Sequence, residues 1–81
     1  MFTTVEETIH VAGVYKNDTF VPRSFLWNSK KITVESITYI ADYSEGEMKL
    51  RSYSILTQNT LYRIIFNRAT EHWTLSEVYH D

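Results

Sequence analysis

The side chains of this 81-residue chain that could carry acid, base or metal chemistry are three histidines and ten carboxylates, and their spacing decides what they can do. His10, His72 and His80 share neither the i, i+2 spacing of one strand face nor the i, i+4 spacing of a helix face, so no two form a ligand pair for zinc. Glu77, His80 and Asp81 lie close together in EVYHD, but Glu77 and His80 fall on opposite faces of an extended strand, and the grouping reads as incidental. Nucleophilic catalysis needs a hydroxyl aligned with a base and an orienting acid, and no Ser or Thr stands in such a motif. The two glycines, Gly13 and Gly46, are isolated, so no loop cradles phosphate, and no Asp cluster matches a calcium loop. Without cysteine there is no disulfide, thiolate or Cys-ligated zinc. The expectation is a non-enzymatic chain with no cofactor and no metal.

Aromatic residues are the remaining lead: six Tyr, four Phe and two Trp exceed what one small core readily absorbs. Tyr15, Tyr39, Tyr43, Tyr79 and Trp27 stand near strand ends or turns, where a ring can stack on a base or a peptide, or can cap an open core. Trp27, Lys30 and Lys31 flank one turn and, with Arg51 and Arg63, form a candidate binding face, since nucleic-acid contact needs aromatic rings beside cations. The net charge of −2 disfavours that partner. It hides a pattern, because all eight Lys and Arg lie between Lys16 and Arg68, where five acids leave +3, while both ends are acidic.

The elements that must position these residues are short strands. With 43% hydrophobic and 15% aromatic residues the chain is too apolar to stay disordered, and its length allows one core, residues 1–81 forming a single small β domain. In YSILTQNTLYRIIF, a turn at Gln58-Asn59 pairs Thr57 with Thr60, Leu56 with Leu61, Ile55 with Tyr62, Tyr53 with Ile64 and Arg51 with Phe66. SFLWNSKKITV repeats the design about Asn28-Ser29, with Phe25 facing Ile32. KKITVESITYIADY reads as one long strand bent by a bulge near Glu35-Ser36, followed by a turn at Gly46. WTLSEVYH closes the series, with Trp73, Leu75 and Tyr79 on one side.

Toward the N-terminus, residues 8–15 read as a strand that Gly13 can bend, Asn17-Asp18 as a turn, and Pro22 as an edge or a break. A short helix over residues 4–10 is the rival, with Thr4 and Glu7 as a capping box and Phe2, Val5 and Ile9 at helical spacing. The expected fold is all-β, a single antiparallel meander of five or six strands curled into a small SH3-like barrel or half-barrel. Its core would comprise Phe25, Ile32, Val34, Ile37, Tyr53, Ile55, Tyr62, Ile64, Phe66, Trp73 and Leu75.

Residues 24–80 resemble a family of short bacterial β-domains of unknown function. The resemblance rests on Phe25, Trp27, Lys31, Val34 and Ile37 of an F-x-W hairpin, Tyr53, then Tyr62, Ile64, Phe66 and Asn67, and the terminal W-x-L-x-x-V of Trp73, Leu75 and Val78. His80 departs from that pattern, standing where the family has an acid, with Asp81 one place later; IADYSEGEMKLRSYS lacks the family's Trp and Arg-rich centre. Some relatives look like companions of DNA-repair polymerases, so the resemblance implies an accessory role.

No apolar run spans a membrane, and MFTTVEETIH has neither the positive flank nor the apolar core of a signal peptide, so the expected location is the cytoplasm, with no membrane partner. The preferred partner is a protein, or a second copy, paired through an exposed edge strand, with a nucleic acid as the alternative.

Overall fold

Alternating apolar and polar residues interrupted by two-residue breaks fold as a run of hairpins. The computed structural model describes residues 2–80, for Phe2 the backbone alone, so Asp81 of the EVYHD grouping lies outside the described residues. Seven strands are present among them: β1 (Phe2–Lys16), β2 (Thr19–Trp27), β3 (Lys30–Thr33), β4 (Ser36–Glu45), β5 (Met48–Thr57), β6 (Thr60–Asn67) and β7 (Trp73–His80). All pairs are antiparallel, and the sheet order is β3-β2-β1-β7-β6-β5-β4. Three turns place both central residues at positive φ: Asn17 and Asp18 at 53° and 64°, Asn28 and Ser29 at 52° and 62°, Gln58 and Asn59 at 48° and 64°. That is the conformation whose twist matches a two-residue hairpin, and Asn and Asp tolerate it better than most residues.

The β5–β6 register is the one read from the sequence, from Arg51↔Phe66 to Thr57↔Thr60, and Phe25 pairs with Ile32. Other readings are corrected. The strand count is seven rather than five or six, because KKITVESITYIADY divides at Val34-Glu35: β3 pairs with β2 and β4 with β5. The sheet is open, since β3 and β4 are its two ends and are not paired with each other, so no closed SH3-like barrel is formed. The rival helix over 4–10 is not formed: the strand read at 8–15 extends back through that stretch as β1, whose register with β7 slips between Thr4 and Glu7 as Glu6 takes a φ of 54°. Ser76 is a bulge residue, because Arg63 pairs with Glu77 and Ile64 with Leu75; the parity of β7 therefore flips, burying Val78 and leaving Tyr79 46% exposed.

Pro22 neither breaks nor edges β2. It is buried opposite Gly13, where the β1–β2 register shifts between Ala12 and Gly13. The missing proline donor and the missing glycine side chain meet at one bulge, which lets the two backbones approach.

Curling follows from connectivity. A flat sheet would hold β3 and β4 six strand spacings apart, roughly 29 Å, whereas the three steps from Thr33 to Ser36 reach at most about 11 Å. The sheet must roll until its ends meet at one corner, and the bulges in β1, β4 and β7 supply the bend. The inner face then holds Ile9, Phe25, Tyr53, Ile55, Ile64, Leu75 and Val78, with Val5, Val11, Trp27, Ile32, Val34, Ile37, Tyr62, Phe66 and Trp73 packed around them. Of the residues placed in the core from the sequence, Phe25, Tyr53, Ile55, Ile64 and Leu75 are buried with Ile9 and Val78, while Ile32, Val34, Ile37, Tyr62, Phe66 and Trp73 are partly buried and pack against them. Each fully buried large apolar side chain contributes about 1.5–3 kcal/mol.

A Cβ on Gly13 would run into the Val21 carbonyl oxygen and lie 3.0 Å from Pro22 Cα. Gly13→Ala should therefore cost about 1–3 kcal/mol by forcing β1 from β2, read as a lower urea midpoint.

Candidate functional site

Three regions of the curled sheet carry functional potential: its two mouths and its long free edge. The first mouth is built by the β2–β3 and β5–β6 turns and by the link between β3 and β4. Trp27 ends β2 and packs edge-on against Tyr62 of β6, with ring centroids 6.3 Å apart, while Phe25 meets Tyr62 at 5.3 Å. Lys30 and Lys31 open β3 directly after the turn. Glu35, just ahead of β4, lies beside the end of β5, where its Oε2 accepts from Thr57 Oγ1 at 3.1 Å and from the Gln58 backbone N–H at 3.2 Å. These groups enclose a cavity of about 480 Å³ whose lining includes Trp27, Lys30, Lys31, Ile32, Glu35 and Tyr62. The Trp27 indole Nε1–H is buried and meets no acceptor among the described residues. Burial pushes the Tyr62 phenol above its ordinary pKa, so it stays neutral.

At the opposite mouth Trp73 gathers Phe20, Tyr53 and Phe66, with centroids 5.7, 5.4 and 4.7 Å away, and Tyr15 packs edge-on against Phe20 at 5.4 Å. These rings, with Arg51 and Glu71, line a smaller cavity of about 230 Å³. Tyr62 and Phe66 belong to different mouths and stand four residues apart on β6, roughly 13 Å along a strand.

The five residues of the candidate face are thereby separated. Trp27, Lys30 and Lys31 come together at the first mouth. Arg51 is at the second, held by Asp42 through two bonds, Nε to Oδ1 at 2.5 Å and Nη2 to Oδ2 at 2.9 Å. Arg63 lies on the outer face and pairs with Glu77 at 3.4 Å. Arg68 also approaches Asp42, at 3.9 Å. Among the described residues, His10, His72 and His80 join no group of three or more His, Asp or Glu side chains that could hold a metal.

Glu35, Thr57 and Gln58 were not singled out from the sequence. Their meeting follows from the pairing of β4 with β5, which sets Ser36 opposite Leu56 and so Glu35 beside Thr57.

The long free edge is β4. It is hydrogen-bonded on one side alone, to β5, over ten residues. Between Ser36 and Ser44 its one charge is Asp42, and Tyr39 and Ile40 are 65% and 49% exposed. The other edge, β3, is four residues long and begins with two lysines, which discourages pairing. Among the described residues no helix is long and apolar enough to cross a membrane. Comparison with protein-family models, curated proteins and solved structures finds no match to this chain.

The Arg51 guanidinium holds the Asp42 carboxyl below its ordinary 3.8, and Arg51 is raised in turn. Because the folded pKa is depressed, the stability this pair contributes is present above pH 3.8 and is lost as pH falls through the lowered value. Asp42→Asn should therefore be less stable than the natural chain at pH 7, with the difference in urea unfolding shrinking as the buffer is acidified below 3.8. A difference independent of pH would exclude the carboxylate as its source.

Proposed function

We propose that this protein is a non-enzymatic interaction module that pairs through β4, and that a second copy of the chain is the first occupant of that edge. The supporting observation is the edge itself: ten residues long, uncharged from Ser36 to Ala41, with exposed Tyr39 and Ile40 beside unpaired backbone N–H and C=O groups. Self-pairing suits it for two reasons. Antiparallel pairing of a strand with its own copy is two-fold symmetric and closes after two chains, the commonest oligomeric arrangement. Asp42, the one charge in its central stretch, is already matched by Arg51 and Arg68, so apposed copies bring no unpaired like charge together there. The resemblance to short bacterial β-domains fits an accessory role of this kind. An extended nucleic-acid face has less support, because Trp27, Arg51 and Arg63 occupy two mouths and an outer face.

Light scattering on the eluting protein should give twice the 9.6 kDa of one chain at high micromolar concentration. Ile40→Lys should return the monomer without changing the fold, since a central charge blocks edge pairing. A single-chain mass for the natural protein at every concentration would exclude the second copy as occupant.

A further inference from the structure

The cavity at the first mouth has features of a ligand site. Its volume of about 480 Å³ falls in the range of small-molecule pockets, roughly 300–1,000 Å³. One wall is the aromatic body of Trp27. The apolar part of the lining is Ile32 with Trp27 and Tyr62, whose rings stand at 79° to each other, so a planar ring can stack on one and meet the edge of the other. The charged part is Lys30 and Lys31 against Glu35, net positive in a chain of net charge −2. Neither lysine forms an ion pair among the described residues, whereas Arg51, Arg63 and Arg68 all do. Glu35 uses Oε2 to hold Thr57 and Gln58, which leaves Oε1 to accept from a ligand N–H.

We propose that this cavity binds a planar heteroaromatic ligand bearing a phosphate, the chemistry of a mononucleotide. The ring lies against Trp27 and Tyr62, and Lys30 and Lys31 hold the phosphate. A phosphate monoester carries about −1.5 to −2 charges at neutral pH and three oxygens, and at the free edge of β3 it can be approached by Lys30 from one face and Lys31 from the other. The same chemistry is offered by a free nucleotide and by the end of a single strand. The site is distinct from the β4 edge and stands or falls independently of pairing there.

The test is a titration of the ¹⁵N-labelled full chain with uridine 5′-monophosphate and adenosine 5′-monophosphate, following the two indole N–H signals. Trp27→Phe assigns them, because it deletes one signal while keeping an aromatic ring. The Trp27 indole and the Lys30 and Lys31 amides should shift saturably, and the Trp73 indole should stay in place. Lys30→Gln with Lys31→Gln should weaken binding by at least about tenfold and flatten its salt dependence. These lysines are exposed, so the double variant carries the test even where Trp27→Phe loses its fold. An unmoved Trp27 indole at millimolar nucleotide overturns the proposal, as does an equal response to inorganic phosphate alone or to uridine alone. Saturation by a thymidine pentanucleotide at lower concentration than by the monophosphates assigns the ligand to strand ends, and the reverse order assigns it to free nucleotides.

Discussion

The two-residue link Val34-Glu35 is the constraint on which the rest of the architecture depends. It joins the first and last strands of a seven-stranded sheet, and a link that short forces their adjoining ends to one corner. Val34 N–H extends the β3–β2 pairing by donating to the Arg23 carbonyl at 2.9 Å, and Glu35 ties the far side of the seam to the β5–β6 turn. With the corner fixed, the inner face can be filled by a few branched and aromatic side chains. This suits a chain too short for a second layer. The seam stays unzipped away from the corner because β3 ends at Thr33 while β4 runs on with β5 to Glu45.

That unequal seam gives the two edges different characters. β3 is brief and lysine-flanked, the composition that suppresses edge pairing, while β4 is long and carries its charge late, at Asp42 and Glu45. The aromatic residues divide in a comparable way. Trp73 organises one mouth by close ring packing, with Arg51 locked to Asp42 beside it. Trp27 at the other mouth makes a single edge contact with Tyr62 at 6.3 Å and leaves its N–H without a partner among the described residues. One mouth is therefore filled largely by its own side chains, and the other retains space and unmatched polarity.

What the sequence revealed was whatever is local. Hairpin registers were legible because side-chain alternation and two-residue turns lie within a dozen residues of each other, as for Tyr53↔Ile64 and Phe25↔Ile32. The division at Val34-Glu35 was not, because a parity shift between Val34 and Ile37 is equally consistent with a bulge and with two strands on opposite edges. Tyr79 was misassigned for a related reason: nothing in WTLSEVYH marks Ser76 as a bulge, and its burial at 5% exposure, with Oγ donating to Glu6 at 3.4 Å, depends on β1. At the candidate site, Trp27, Lys30 and Lys31 were legible because one turn holds them together. Arg51 and Arg63 could not be sorted by charge alone, since their partners Asp42 and Glu77 lie on neighbouring strands, nine and fourteen residues away.

Glu35 connects fold and site. Its carboxylate oxygen holds the hydroxyl of Thr57 and the amide of Gln58, so the same group that fastens the corner also forms part of the lining of the Trp27 cavity. A carboxylate there costs little solvation because Glu35 is exposed, and its charge is offset by Lys30 and Lys31 on the adjoining strand. The corner that makes the sheet curl thus gives its roomier mouth a polarity, with cations on the edge strand, the crossed rings of Trp27 and Tyr62 behind them and a single acid at the seam.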